Sequence, residues 1–429
     1  MALVFLCAAL ALAAPVIIAG PLTHGSFWID YVWAKQFTEQ IASGVPYPRW
    51  LPDSFAGQGA PVFYFYAPLS FFMVAVFGLI GFSTWGSIVA AAVFFHAASG
   101  MAMRHWLQPW GDRPALIGAL VYMALPYHLI DFQRRGALAE FAAYALVPLV
   151  MAGVREAVED RQPALLAVAY AALITTHLPM ALLVSVFLVP AAFFYSRRGS
   201  WIAPAVGGIV GLLLASAYLV PAIALQGHVV ESALWGRHFS PPHWILINAW
   251  NWPERRETLL IAAAILLSAG AAIVLLWRRL SYWPAVTIGL CVVAGNLIPF
   301  LWSIPLLAKV QFPWRAMALI DFTLATSMAI AISEGRAKRM IWLAPIAVLS
   351  VAVLVLPMPV GPTIASLDLT MPDVEEYRIG VEIVAAAANL VVVGQMMSLA
   401  GLIALLSMAA QQVKGTQRGH APPGEHPTG

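Results

Sequence analysis

Residues 61–82 read PVFYFYAPLSFFMVAVFGLIGF, and how this stretch is counted decides the fold. It is apolar enough to cross a bilayer, whose hydrocarbon of ~30 Å takes about 20 helical residues. If it crosses, every later loop changes side. If it is a re-entrant or surface-lying piece and the N-terminus is cytoplasmic, then Arg104, Arg113, Arg155, Arg161, Arg197, Arg198, Arg278, Arg279 and the basic cluster at 336–339 all face the cytoplasm. With Lys414 and Arg418 that side holds 13 of the 23 basic residues and only six of the 20 acids. Clustered arginines on short loops are what the positive-inside bias favours, so the non-crossing count is preferred.

Outward from this stretch, apolar runs recur from Leu3 to Ala410. The chain is 61% apolar and 10% charged, against roughly 25% charged in an ordinary soluble domain, which excludes a water-soluble globule. The expected fold is an all-α polytopic integral membrane protein of about 11–13 transmembrane helices. It forms a single membrane domain over residues 1–410, with a polar tail, 411–429, expected to be disordered. Cys7 and Cys291 both lie in apolar runs, so no disulfide framework or cysteine-rich metal site is indicated. Residues 1–20 lack a leading basic residue and a following polar break, which suits an uncleaved first helix.

Under the preferred count, the loops of mixed chemistry fall on the outer face: 21–60, 131–140, 223–257, 303–315 and 358–383. In the first, Ile29, Trp33, Phe37 and Ile41 repeat every four residues. This predicts an amphipathic helix over about 29–42 lying on the membrane, with Asp30 in its first turn. Pro46, Pro48 and Pro52 hold the chain stiff around Arg49, and Gly57 and Gly59 permit a turn. Taken singly, Asp30 reads as a carboxylate stabilised by the helix dipole and Arg49 as a residue meeting lipid phosphate. Taken together in one stiffened loop, they also suit catalysis.

The runs SGVPYPRW (43–50), GQGAPVFYFYAPLS (57–70), YHLIDFQRRGALAEF (127–141), TTHLPMALL (175–183) and QFPWRAMALIDF (311–322) occur in an order that resembles bacterial membrane proteins named after a 6-pyruvoyl-tetrahydropterin-synthase-related domain. Those proteins resemble the GT-C superfamily of polyprenyl-phosphate-dependent glycosyltransferases. The name does not imply pterin chemistry, because no zinc-binding histidine set in a soluble fold is present. The resemblance implies a first external loop with jutting helices, consistent with a non-crossing 61–82, and a catalytic acid at Asp30. It also implies a second acid in the next external loop, from Asp131 and Glu140. On a helix, Asp131 has Arg134 and Arg135 at neighbouring offsets and is expected to be neutralised locally. Glu140 has Gly136 and Tyr144 there, and is the second catalytic candidate.

Transfer from a lipid-phosphate sugar needs an activated acceptor hydroxyl and a held phosphate. A carboxylate takes the proton, and an aspartate of ordinary pKa is ionised at neutral pH without tuning. Arginine holds two phosphate oxygens and stays charged. The substrate-binding candidates are therefore Arg49, Arg135 and Arg315, joined through the matching blocks by Asp131, His177 and Gln311. Arg315 equally suits a boundary arginine reaching lipid headgroups, and a lone histidine such as His177 is more often a packing residue. Asp321, an acid inside an apolar run, lies some 600° around the helix from Arg315, at about 100° per residue. It needs a partner from another helix.

His228, His238 and His243 match no standard ligand spacing, so no metal or other cofactor is assigned, and a divalent cation is not indicated. The expected partners are membrane lipids, a polyprenyl-phosphate-linked sugar and an acceptor that the residues leave open; nucleic acid is not among them. The implied place is the bacterial inner membrane with the site facing the periplasm. The competing reading is a non-catalytic lipid-linked-sugar transporter or accessory subunit of a cell-envelope polysaccharide pathway, against which the lack of internal repeats weighs. Two features depart from the family. Tyr31, Val32 and Trp33 follow Asp30 where relatives commonly place a histidine, and only residues 358–383 stand where many carry a large external domain.

Overall fold

A chain lying in hydrocarbon must satisfy its own backbone N–H and C=O groups, and this one does so with helices. The computed structural model describes residues 1–196, 200–228, 239–252, 255–277, 282–336, 343–359 and 374–419. Among these the only strand-like pairing is an isolated antiparallel bridge between Leu51 and Ala60. Eight helices are long and apolar enough to cross a membrane, and a bent pair, Ile202–Leu214 and Ser216–Ala224, makes a ninth. Four shorter apolar helices, Leu69–Leu79, Ala164–Thr176, Tyr282–Ala294 and Ala344–Val355, complete the apolar helices among the described residues.

The long helices sort into inner and outer ones. Thr84–Trp110, Asp112–Gln133, Leu138–Glu159 and Pro313–Ser333 are 67, 72, 78 and 83% buried over their most apolar windows, whereas Ala2–Ala19 and Ala387–Ala410 are 22 and 11% buried. The inner four carry His96, Asp131, Glu140, Arg315 and Asp321. The outer helices present leucine, isoleucine and valine to lipid, as expected where the surrounding solvent is as apolar as the side chains.

Residues 61–82 form one turn, Val62–Phe65, followed by Leu69–Leu79. The second piece has 11 residues and rises about 16 Å, roughly half the hydrocarbon thickness. The helix predicted over 29–42 runs Phe27–Ala42, and the middle of its apolar stripe packs on protein. The Phe37 ring is 4.7 Å from Phe63 and 5.0 Å from Phe72, and Trp33 is 5.0 Å from Tyr66. An aromatic-lined half-helix inside the protein meets that stripe better than lipid does, because edge-to-face ring contacts add to simple apolar burial.

Two prolines free backbone carbonyls that side chains then use. Pro126 lacks the N–H that would bond Tyr122 O, and that carbonyl instead accepts from His128 Nδ1 at 3.1 Å, while His96 Nε2 donates to Met123 O at 2.9 Å. Pro221 likewise leaves Ala217 O without its helical donor, and Arg49 Nη2 fills the place at 3.0 Å. At the C-terminus the last helix runs Val374–Gly419, so residues 411–419, expected in the disordered tail, continue the helix. Residues 420–429, most of the 358–383 loop, Trp235 and His238, and the basic residues Arg197, Arg198, Arg278, Arg279, Lys338 and Arg339 lie outside the described residues.

Candidate functional site

The site begins where the loop after the first helix meets the turn after Gln133. His24 Nε2 donates to Gln133 O at 3.1 Å and Ser26 N to Arg135 O at 2.7 Å. The approach is backbone to backbone. Gly25 has φ 57°, and a Cβ on it would stand 2.3 Å from Arg135 O. Gly136 has φ 65°, and its Cβ would come within 2.7 Å of Phe27 N. Only glycine tolerates both the left-handed backbone and the contact.

This docking carries Asp30 inward. It is 2% exposed, and its Oδ2 accepts from Leu138 N at a long 3.4 Å. Among the described residues no cation lies within ion-pair distance of it. Burial pushes its carboxyl up to about 8, with the Leu138 N–H pulling weakly the other way. The expectation of an untuned, ionised aspartate is therefore corrected: desolvation of the charged form dominates here.

Two residues beyond Leu138, Glu140 sits in a cluster of opposite charges. Its Oε1 accepts from Tyr127 Oη at 2.7 Å, and its Oε2 meets both Arg135 Nη1 and Arg315 Nε at 3.0 Å. Arg135 Nη1 also bonds Asp131 Oδ1 at 2.5 Å and Tyr127 Oη at 2.8 Å. Arg315 Nη1 donates to Val310 O at 2.5 Å and to Gln311 Oε1 at 3.1 Å, with Gln311 itself at φ 69°. The structure thus gathers Asp131, Arg135, Glu140, Gln311 and Arg315. Glu140, which sequence left without a local partner, is the most heavily bonded acid of the set.

Asp131 is neutralised by Arg135 as expected, but not by Arg134, which turns away. Arg134 donates to Leu356 O and Pro357 O, each at 2.7 Å, and to Val353 O. It satisfies the free carbonyls that end the helix Ala344–Val355. His177 caps the helix that follows it, its Nδ1 accepting from Met180 N at 3.2 Å. That bond fixes the Nδ1 lone pair inward and leaves the proton of the neutral ring on Nε2.

Arg49 stands apart from Asp30 and from the cluster. Its guanidinium lies 3.8 Å from the Tyr47 ring centroid and 5.8 Å from that of Tyr64, and burial lowers its pKa. The joint Asp30–Arg49 arrangement suggested by the loop is therefore not an ion pair. Asp321 finds its cross-helix partner in Tyr144, whose Oη donates to Oδ2 at 3.1 Å. Among the described residues no three His, Cys, Asp or Glu side chains group closely enough to hold a metal ion.

Sequence reasoning missed Tyr127, which bridges Glu140 and Arg135, and Tyr66. Burial first, then the negative charge of Asp30, raise the Tyr66 phenol, while Arg315 opposes the shift. Tyr66 therefore lies within electrostatic range of both the aspartate and the arginine-held glutamate. Both tyrosines lie inside the quoted blocks, yet nothing about a tyrosine in an aromatic-rich interface distinguishes it from a membrane-belt residue.

Fold and site together define a polytopic membrane protein of GT-C-like architecture with a buried acid beside an arginine–carboxylate cluster. Residues 63–358 match the family described as 6-pyruvoyl-tetrahydropterin synthase related domain, membrane protein, and the chain belongs to it. Among solved structures, the fold is similar to that of ArnT from Cupriavidus metallidurans bound to undecaprenyl phosphate, at 15% identity and a TM-score of 0.50, covering 97% of this chain and 79% of that one. No curated protein sequence matches the chain.

Proposed function

We propose that this protein is a membrane glycosyltransferase that moves a sugar from a polyprenyl-phosphate-linked donor to an acceptor hydroxyl at the outer face of the bacterial inner membrane. The observation that carries the reading is the state of Asp30: buried, uncompensated by a cation, and fixed by the Gly25–Arg135 contact against the segment bearing Glu140. A carboxylate poised near the working pH suits general-base catalysis. Asp30 takes the acceptor proton, the acceptor oxygen bonds the anomeric carbon, and the bond from that carbon to the phosphate oxygen breaks with its electron pair leaving on the phosphate. Glu140 has both oxygens occupied by tyrosine and arginine donors, and therefore holds Arg135 and Arg315 in place rather than removing a proton.

The fold likeness to a protein solved with undecaprenyl phosphate supports the lipid-linked donor. The outward orientation is supported by charge. The Arg104–Asp112 pair lies at the opposite end of Asp112–Gln133 from the site, a helical path of roughly 30 Å, and belongs to the basic set favoured in the cytoplasm.

The test is reconstitution with labelled polyprenyl-phosphate sugars. Wild type forms a glycosidic product, and Asp30→Asn binds donor but loses transfer by about 10²-fold or more. Transfer at the wild-type rate by Asp30→Asn overturns the assignment, and donor movement across the bilayer without product replaces it with transport.

A further inference from the structure

The cluster at Glu140 has two guanidinium groups facing two carboxylates, so it brings no surplus positive charge to a phosphate. Arg49 does. It is 8% exposed, its Nη1 has no protein partner, and among the described residues no carboxylate lies within ion-pair distance. A cation held in low dielectric without a counter-ion is costly unless an anion joins it.

Arg49 is tied to the wall of an apolar groove. Its Nη2 bonds Ala217 O, on the helix Ser216–Ala224, which is bent by 72° from Ile202–Leu214. Both arms of that bend and the last helix line an open groove of about 400 Å³, with Ile209, Leu212, Leu219, Ile223 and Met397 among its side chains and none of them charged. The last helix packs on Ser216 and Ala217 at backbone range. Ser398 Oγ accepts from Ala217 N at 2.8 Å, and a Cβ on Gly394 would stand 2.5 Å from Ser216 O.

We propose that this groove seats the head-proximal isoprene units of a polyprenyl phosphate, with the Arg49 guanidinium as counter-ion to its phosphate. The inference rests on the lipid-phosphate donor of the proposed reaction and assigns its place. One uncompensated cation, bonded to the backbone of a helix that lines one uncharged, branched-aliphatic groove, matches an amphiphile with one anionic head and one branched apolar chain. A two-chain phospholipid would use the charge and leave one chain elsewhere. Binding asks for little rearrangement of Arg49, because Tyr47 and Ala217 O already fix its orientation.

The test uses the full chain in nanodiscs of zwitterionic lipid and measures binding of a labelled polyprenyl phosphate. Arg49→Gln weakens binding about tenfold or more, the loss of one charge-assisted contact, and Arg49→Lys retains most of it. Ile209→Trp and Leu212→Trp, at positions 58 and 45% exposed, fill the groove and weaken binding of the lipid. Arg49→Gln also leaves Ala217 O without a donor, so it is repeated with Pro221→Ala, which restores the helical N–H to that carbonyl and keeps the charge deleted.

Unchanged binding in the Arg49→Gln/Pro221→Ala variant overturns the proposal, as does unchanged binding in both tryptophan variants. Equal displacement by phosphatidylglycerol or by inorganic phosphate also overturns it, by showing a general anion site. Arg49-dependent lipid binding without any sugar transfer leaves the groove standing and removes the glycosyltransferase reading instead.

Discussion

Arg315 Nε donates to Glu140 Oε2 at 3.0 Å across 175 residues of sequence, joining the N-terminal end of the helix Met317–Ser333 to the segment that docks the loop after the first helix. Removing one member of a buried pair leaves the other charged and unpaired, at a cost of about 3–5 kcal/mol. The two ends are not equivalent. Glu140→Gln leaves Arg315 without a carboxylate and Arg135 with Asp131 alone, whereas Arg315→Gln leaves Glu140 its bonds to Arg135 and Tyr127. In detergent, thermal unfolding should show a larger loss for Glu140→Gln than for Arg315→Gln. Equal losses would mean that Arg135 does not share the glutamate.

Asp30 gives a pH signature with a defined sign. Its carboxyl rises from 3.8 to about 8 because burial disfavours the charged form. Between those values the unfolded chain has lost the proton and the folded one keeps it, so stability falls as pH rises through this window and levels off above about 8. Asp30→Asn removes the penalty: it should melt together with wild type near pH 4 and above it at pH 8, by up to a few kcal/mol at ~1.4 kcal/mol per pKa unit. Transfer by wild type should run the opposite way, rising with pH to a midpoint near 8 as the base becomes available. A pH-independent rate between 6 and 9 would remove Asp30 from the proton transfer.

The loop docking is testable through its glycines. Gly25→Ala meets both φ 57° and the Arg135 carbonyl, whereas Gly20→Ala, at φ 75°, meets nothing within 4 Å. The control carries backbone strain of roughly 1–3 kcal/mol; the test variant adds a steric clash that lifts Asp30 from Leu138 N. Transfer should collapse in Gly25→Ala and persist in Gly20→Ala, with helix content by circular dichroism unchanged in both. Equal activity in the two would separate the docking from the chemistry.

The helical bundle was legible because apolar length is a one-dimensional signal: a run such as Met317–Ser333 announces itself. The aspartate, the arginines and the matching blocks were legible for a similar reason, since a charge in an apolar chain stands out. Partnership was not. Arg134 and Arg135 are adjacent in sequence, yet one ends the helix Ala344–Val355 and the other holds Asp131 and Glu140. Helical offsets had assigned both to Asp131, but the helix ends at Gln133 with Arg134 as its C-cap, so beyond that point the offsets no longer fix where either side chain points. The partner of Glu140 came from position 315, and no local rule reports a contact of that range. The stripe Ile29, Trp33, Phe37 and Ile41 gave the helix but not the ring contacts of Trp33 and Phe37, because periodicity shows that a face is apolar and not what covers it.

The count that opened the sequence can be settled by labelling. Leu69–Leu79 rises only about 16 Å, so its two ends should face the same side of the bilayer, while the 24 residues of Thr84–Leu107 rise about 36 Å and cross. In a Cys7→Ser background, single cysteines at exposed positions, Gln58→Cys and Phe82→Cys, should react with a membrane-impermeant maleimide added to intact cells. Arg113→Cys should react only after permeabilisation. Cys291 is buried and adds little background. If Phe82→Cys is protected in intact cells while Gln58→Cys and Arg113→Cys both react, residues 61–82 cross the membrane. The basic loops then face outward, and Asp30 and Glu140 could not share a side unless their present contact through Leu138 were broken.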